Sequence, residues 1–339
     1  MNRADFDAAS YPWIREALRD SNQALRGAEK ADFSLLLDET GEFLPGVSAQ
    51  RSCPMCDQPS ASATELFVAH GMHIMRCAAC DFIYSREVIL PEAERARYRH
   101  SQSSQANQAL KANEAYAFLE KKKSEYIVSV LEQFAAPGRR LLDVGCSNGA
   151  LLAEAASRGW QAVGIELGAT AVAVCRERGL NVAQGCFPQD LPAGWRDQDV
   201  VVLLDVLEHL PEPRQAMSAM TDCLRDGGLL LVQVPNQHSL LLQIEQAGNN
   251  NYCHGHWSYF TPVSLQRLMD GAGFDCLRLE TYISELDRVQ AHDAARVAAA
   301  WQAMGGDEPL TAEAMWRRGV GYKIFGVFRR RRGATGLSF

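Results

Sequence analysis

What this chain lacks narrows it first. No segment approaches the ~20 consecutive apolar residues that a membrane-spanning helix requires, so no membrane partner is expected. Basic residues do not outnumber acids: 34 Lys and Arg stand against 41 Asp and Glu, a formal charge of −7. A general nucleic-acid binder normally carries a basic stripe, so nucleic acid is not the expected partner. The opening residues, MNRADFDAASYPWIREALRD, contain no apolar core of the signal-peptide kind, and a cytoplasmic location is the expectation. Internal repeats and extended low-complexity tracts are missing too, and nothing in the sequence sets an oligomeric state. What remains is ordinary for a soluble globular chain: 339 residues with 47% hydrophobic and 22% charged content. That length suffices for one large domain and a smaller module.

Cysteine is the exception to this ordinariness, with ten residues. Six are scattered through strand-like and helix-like runs and read as small apolar residues of a reducing compartment. The other four form two tight pairs, Cys53 with Cys56 and Cys77 with Cys80, separated by twenty residues. CPMC and CAAC sit on expected knuckle turns, with strand-like LFVAHGMHIMR between them. Four thiolates so spaced suit one tetrahedral Zn²⁺ in a closed structural site. Such a site would support folding or shape a substrate lid rather than catalyse. The competing reading is a redox pair, but no βαβ context surrounds either motif. His70 and His73 are alternative ligands, although four cysteines already complete the shell.

Along the chain, residues 1–50 read as a helical extension, with Trp13, Ile14, Leu18 and Leu25 on a rough helical period. Residues 51–90 form the cysteine module. Residues 91–136 read as a helical connector stopped by Pro137-Gly138, with polar SQSSQANQ at 101–108 as a loop or frayed helix start. From 137 to 330 strand and helix alternate: RLLDVG, WQAVGIEL, LNVAQG, DVVVLLDVL and LLLVQVPN are strands, and PRQAMSAMTDCLRDGG is a helix. CLRLETYI and GYKIFGVFRR add two more strands, expected as an antiparallel pair at one edge, with helix between them at about 285–318. Residues 331–339 form a basic tail. Apolar strands alternating with amphipathic helices predict an α/β fold: a seven-stranded, mainly parallel sheet covered by helices on both faces.

One run within this pattern carries chemistry. LLDVGCSNG, from Leu141 to Gly149, is a buried strand ending at Asp143, a glycine turn and a helix start. Gly145 allows the turn, and Gly149 lets a ligand or a helix come close. About twenty residues on, Glu166 ends the next strand, where a carboxylate can accept both hydroxyls of a ribose. The run lacks the middle glycine of a dinucleotide fingerprint and the spacing of a P-loop. Taken singly, a strand-end Asp can merely cap its turn, and Glu166 can be only a helix N-terminal charge.

Together with VVLLDVLEHLPEP and LRDGGLLLVQVPN, these residues give four motifs in order, and residues 137–329 resemble a class I S-adenosylmethionine-dependent methyltransferase. The resemblance implies a Rossmann-like sheet and S-adenosyl-L-methionine as cofactor. It implies contacts from the Gly145–Gly149 backbone, Cys146 and Ser147 included, to the methionine part and from Glu166 to the ribose hydroxyls, with Asp143 and Leu167 also among the cofactor-binding residues. Cys186 and Phe187 would lie against adenine, and Asp205, Val206 and Leu207 near the transferable methyl. The family often has an acidic residue at the place of Cys186, so a hydrogen bond from the adenine amino group must be met elsewhere here or be absent.

The acceptor side is expected at NNNYCHGHWSYFTP, residues 249–262, which mixes two histidines with aromatics soon after the fifth strand. With the cysteine module it is similar to the C-methyltransferases of deoxysugar biosynthesis. These carry an N-terminal zinc domain and a Tyr-His-Glu-His run followed by Ser-Tyr-Phe. Cys253-His254-Gly255-His256 occupies that run and Ser258-Tyr259-Phe260 its sequel, so His256 falls on the family's proposed base. Cys253 and Gly255 replace the tyrosine and glutamate, and the chain is shorter than those enzymes.

The expectation is therefore methyl transfer to oxygen or carbon of a small-molecule acceptor, a sugar or secondary metabolite, with His256 as base. His254 is a second candidate, more apt for structure or substrate contact. For His256 the ordinary alternative is an aromatic-packed loop residue. Glu208-His209 is expected to anchor a loop, with metal-assisted O-methylation as a further use. Arg329–Arg332 is expected to be a solvated charge run, or else a phosphate contact. Two other function classes remain: an RNA or protein methyltransferase whose zinc module grips a macromolecule, and a non-catalytic binding protein.

Overall fold

The computed structural model describes residues 2–94 and 101–333. Parts of the expected connector (95–100) and basic tail (334–339) lie outside the described residues.

Alternating side chains decide how the main sheet is covered. Along Leu229–Val232, Leu229 and Leu231 enter one core while Leu230 and Val232 enter the other, and all four are fully buried. A strand with apolar residues on both faces must be covered on both. The strands are β6 (Arg140–Val144), β7 (Gln161–Glu166), β8 (Val182–Gln184), β9 (Gln198–Leu204), β10 (Leu224–Pro235), β12 (Phe274–Tyr282) and β13 (Lys323–Arg330). Their order is β12-β13-β10-β9-β6-β7-β8. The five from β6 to β10 are parallel; β13 runs antiparallel to β10, and β12 antiparallel to β13. The expected seven-stranded sheet and its antiparallel edge are thus both present.

One face is covered by helices α3 (Glu114–Leu131), α4 (Ala150–Ser157) and α5 (Ala169–Glu177), through residues such as Ile127, Leu152 and Val172. The other is covered by α6 (Pro213–Cys223) and α8 (Pro262–Gly271), through Met217, Met220, Leu265 and Leu268. Helix α6 stops at Cys223, earlier than the sequence pattern predicts. Leu224 already pairs with Gln198, and a bulge before Leu229 absorbs Arg225–Gly228 into β10. A ladder bond to a buried neighbour overrides local helix propensity there.

The N-terminal third wraps onto this sheet. Helix α1 (Pro12–Ser34) buries Ile14 and Leu18, but Trp13 points outward at 51% exposure, so it is not part of the buried stripe. Residues 101–108 are well-formed helix rather than loop. Ser101 caps α2 (Gln102–Ala112), and the carboxylate of Asp32 accepts hydrogen bonds from Ser101 and Ser103. The cysteine module contributes β2 (Thr64–Ala69), β3 (Met72–Arg76) and β4 (Ile83–Ser85), with β1 (Ser48–Gln50) paired to β5 (Glu87–Ile89) beside them. Its sheet has a fourth member from far along the chain: β11 (Ser258–Tyr259) pairs with β4, giving the order β11-β4-β3-β2. Cys53, Cys77, Phe82 and Tyr84 share one core with Leu142, Val144 and Met217, so the module sits on the main sheet.

Candidate active site

In an open α/β sheet the ligand crevice lies beyond the carboxyl ends of the strands, where the chain reverses its winding. Here that point falls between β6 and β9, which are neighbours in space but not in sequence. The turn after β6 is built for close approach. Gly145 and Gly149 both have φ of +74°, and Ser147, at φ +50°, accepts the same strain without being glycine. A Cβ on Gly145 would meet Val206 Cγ2 at 2.6 Å, and one on Gly149 would meet Leu180 Cδ1 at 2.4 Å. The lack of a Cβ at Gly149 therefore lets the start of α4 pack close to Cys175 of α5 and to Leu180 beyond it, not onto a strand of the sheet. The turn is pinned by Glu166: Ser147 N–H donates to Oε2 at 3.0 Å and Gly168 N–H to Oε1 at 2.7 Å. The Cys175 thiol donates to the Ser147 carbonyl at 3.2 Å.

Around this turn stand the other sequence-predicted residues. Asp143 is 3% exposed; burial, then the nearby Glu166, hold its carboxyl well above the ordinary range. Cys146 packs into the core, whereas Leu167 is 55% exposed beside Glu166. Phe187 packs against the core below, and Asp190 Oδ2 accepts the Cys186 N–H at 2.8 Å. An acid thus does stand next to Cys186, four residues on. Asp205, with φ of +56°, directly follows β9. It accepts from Lys323 Nζ at 2.8 Å and from Gln233 Nε2 at 2.5 Å. Burial pushes its pKa up, but Lys323 and Lys123 outweigh burial and hold it low. Lys323 escaped the sequence reading, although a lone lysine inside the apolar strand GYKIFGVF was a readable signal.

Beside Asp205 the structure brings together Glu208, His209 and His256, each offering a ligand-type atom within 4.8 Å of the others. His209 Nδ1–H donates to the Gly255 carbonyl at 2.9 Å, and His256 Nδ1–H to the Asn251 carbonyl at 2.9 Å. The two rings meet edge to face, centroids 4.6 Å apart. Desolvation, then His209 and Lys323, hold His256 well below the usual histidine range. Burial and Asp205 push Glu208 up to about 8. His254 lies elsewhere. Its Nε2–H donates to the His70 carbonyl at 2.6 Å, and its ring packs on Phe33 and Phe43. That geometry ties His254 to the cysteine hairpin.

The cysteine module holds this loop from the other side. Arg51 is half-buried, desolvation lowers its pKa to about 10, and it donates to the carbonyls of Ser85, Pro211 and Trp257. The four cysteine sulfurs lie within 4.8 Å of one another; Cys53 and Cys80 are 3.6 Å apart, Cys56 and Cys77 3.5 Å. Sulfurs around one tetrahedral Zn²⁺ with bonds of about 2.3 Å stand roughly 3.8 Å apart, so the set fits that ion closely. Against desolvation, backbone N–H groups of Cys80 and Ala79 hold the Cys77 thiol below its usual value, whereas burial raises those of Cys53 and Cys80. Thiolate-stabilising amides of this kind suit a metal knuckle.

Arg329–Arg332 sits at the opposite end of β13 from Lys323. Arg330 bonds to Asp226 and the Leu224 carbonyl, and Arg331 bonds to Asp270 and Asp275. The phosphate alternative for this run is therefore set aside. Beyond the loop, a cavity of about 580 Å³ is lined by Phe6, Ile14, Leu18, Leu110 and Leu119, with Lys123, Glu120 and Arg288 among its polar residues. Among the described residues, no helix is long and apolar enough to cross a membrane.

A doubly wound sheet with this crevice and these four ordered motifs is the class I methyltransferase architecture. Residues 112–279 match the family model of a methyltransferase domain, and over that span the chain belongs to this family. Similar curated proteins include the ubiquinone biosynthesis O-methyltransferase of Aeromonas salmonicida, 29% identical over 40% of this chain and 63% of the relative. That of Idiomarina loihiensis is 30% identical over 43% of this chain and 65% of the relative. The chain thus spans just under two thirds of these relatives. Among solved structures, a SAM-dependent methyltransferase from Archaeoglobus fulgidus aligns with TM-score 0.46 and 17% identity, over 62% of this chain and 94% of its own. The plantazolicin methyltransferase BamL aligns with TM-score 0.47 and 13% identity, over 69% and 93%.

Proposed function

We propose that the protein is an S-adenosylmethionine-dependent methyltransferase that methylates oxygen or carbon of a small molecule, a sugar or a secondary metabolite. One observation carries this reading: the Glu166 carboxylate closes on the Ser147 amide at the switch point of the sheet, with Asp205 beside it. When bound, S-adenosylmethionine supplies an electrophilic methyl group on a sulfonium. The chain's part is to hold donor and acceptor in line. In this reading Glu166 turns its oxygens to the ribose hydroxyls, Leu167 and Phe187 flank adenine, and Cys186 with Asp190 borders its amino group. Gly145, Cys146, Ser147 and Gly149 offer backbone to the methionine part. Asp143, Asp205 and Val206 line the inner wall. The four cysteines hold a structural Zn²⁺. Residues 51–90 then act as a brace for the 137–330 domain, with 1–50 and 91–136 covering the acceptor side.

With Nδ1–H of His256 committed to Asn251, Nε2 is the atom left to take the acceptor's proton in a form of the protein that holds no cation there. Oxygen is favoured as acceptor atom because the similar curated proteins are O-methyltransferases. The mixed apolar and charged cavity favours an acceptor with an apolar body and a polar end over a bare sugar. A macromolecular substrate gripped by the cysteine module is disfavoured, because the module's apolar side is spent on the main sheet.

Calorimetry with S-adenosylmethionine and its demethylated product tests the core of this reading. Both are expected to bind, with Glu166→Gln weakening each by roughly tenfold or more, the worth of a charged bidentate contact. If the wild-type chain binds neither, the reading is wrong.

A further inference from the structure

We propose that Glu208, His209 and His256 form a binding site for one divalent first-row cation, separate from the four-cysteine site. Glu208 is the observation that demands it. It is 1% exposed, and both of its carboxylate oxygens are buried without a hydrogen-bond partner. A buried carboxylate left so is costly unless something positive completes it. The Lys323 ammonium, which acts on Glu208, is engaged by Asp205 at 2.8 Å.

The histidines complete the set. Each has Nδ1–H tied to a backbone carbonyl, which fixes the tautomer and leaves Nε2 with its lone pair. That second-shell arrangement is how protein metal ligands are oriented. Two imidazoles and one carboxylate, all within 4.8 Å of one another, suit Mn²⁺, Fe²⁺, Co²⁺ or Zn²⁺. Bonds of about 2.1 Å place ligand atoms roughly 3.0–3.4 Å apart, so shifts of about an ångström close the trio. Three protein ligands leave at least one position open, and an acceptor oxygen can fill it.

Cation binding itself does not depend on methyl transfer; only its use by the acceptor rests on the proposed function. A cation on Nε2 of His256 leaves that atom no lone pair for a proton, so ligand and general base are exclusive roles. The trio is composed from two distant stretches, the turn after β9 and the loop before β11, which only the fold brings together.

The test uses the full chain, cleared of loosely bound metal by chelator while its zinc content is monitored. Mn²⁺, a poor competitor for a four-thiolate site, is then titrated and free ion followed by electron paramagnetic resonance. One equivalent is expected to bind per chain, with affinity lost at least tenfold in Glu208→Gln and in His256→Asn. S-adenosylmethionine binding is measured on the same samples as a check on folding. No Mn²⁺ or Co²⁺ binding by the wild type, or equal binding by folded variants, overturns the proposal. If Mn²⁺ binds as expected but S-adenosylmethionine does not, the metal site stands and the methyltransferase reading falls; the reverse result separates them the other way.

Discussion

At the scale of single residues, the donor side of the crevice depends on positions that no other side chain can fill. Gly145 has φ of +74° and lies where a Cβ would come within 2.6 Å of Val206. Left-handed backbone costs an L-residue about 1–2 kcal/mol, and the clash adds to that. Gly145→Ala should therefore lower stability by about 2 kcal/mol and push Val206 toward the crevice, weakening S-adenosylmethionine binding. Urea titration beside calorimetry would show both; an alanine variant with wild-type stability and affinity would contradict this account of the turn. Gly149 makes a useful contrast, because its missing Cβ faces Leu180 and Cys175 rather than the crevice. Its replacement should cost stability with less direct effect on the ligand.

Among elements, the decisive contact is the short strand β11, which belongs by sequence to the methyltransferase half and by hydrogen bonding to the cysteine sheet. Arg51 locks that union by holding three carbonyls, two on the site side (Pro211, Trp257) and one on β4 (Ser85). Arg51→Ala should cost roughly 1–2 kcal/mol, since it removes charge-assisted hydrogen bonds to the part-buried Ser85 and Trp257 carbonyls and to the exposed Pro211 carbonyl. It should also loosen the His256 loop, visible as faster proteolysis between 249 and 262. A variant as stable and as protected as wild type would mean that the clamp contributes nothing. Long elements were legible in the sequence because they signal themselves: DVVVLLDVL and LLLVQVPN are apolar beyond any loop, and glycine or proline closes the helices before and between them. The two-residue β11 and three-residue β1, β4 and β5 were not, because strands that short exist only through their partners. The same reasoning covers the site. Glu166 and Asp205 were readable from strand ends. The meeting of His256 with Glu208 and the retreat of His254 behind Phe33 depend on how a loop docks on a distant hairpin. Spacing along one chain carries no trace of that.

Across the whole molecule, the cysteine module and the 253–260 segment form one mechanical unit. Cys53 and Cys77 lie in the same core as the main sheet, and the hairpin they support holds His254 through the His70 carbonyl. If the four thiolates bind Zn²⁺ as proposed, much of the module's folding free energy comes from that ion, because such small modules bury too little apolar surface alone. Removing the metal should then unfold more than the module. Hydrogen exchange after chelation, or in Cys77→Ser, should lose protection over 53–85 and also over 253–260, more than a hundred residues away. Strands β6, β9 and β10 should stay protected, since their apolar faces are covered by α3, α4 and α6 as well. S-adenosylmethionine should still bind that residual domain, because Gly145, Glu166 and Asp205 belong to the protected sheet, while acceptor turnover disappears. Loss of protection confined to 53–85 would mean that β11 and Arg51 do not couple the two regions. Loss throughout the sheet would mean that the donor crevice, too, depends on the metal.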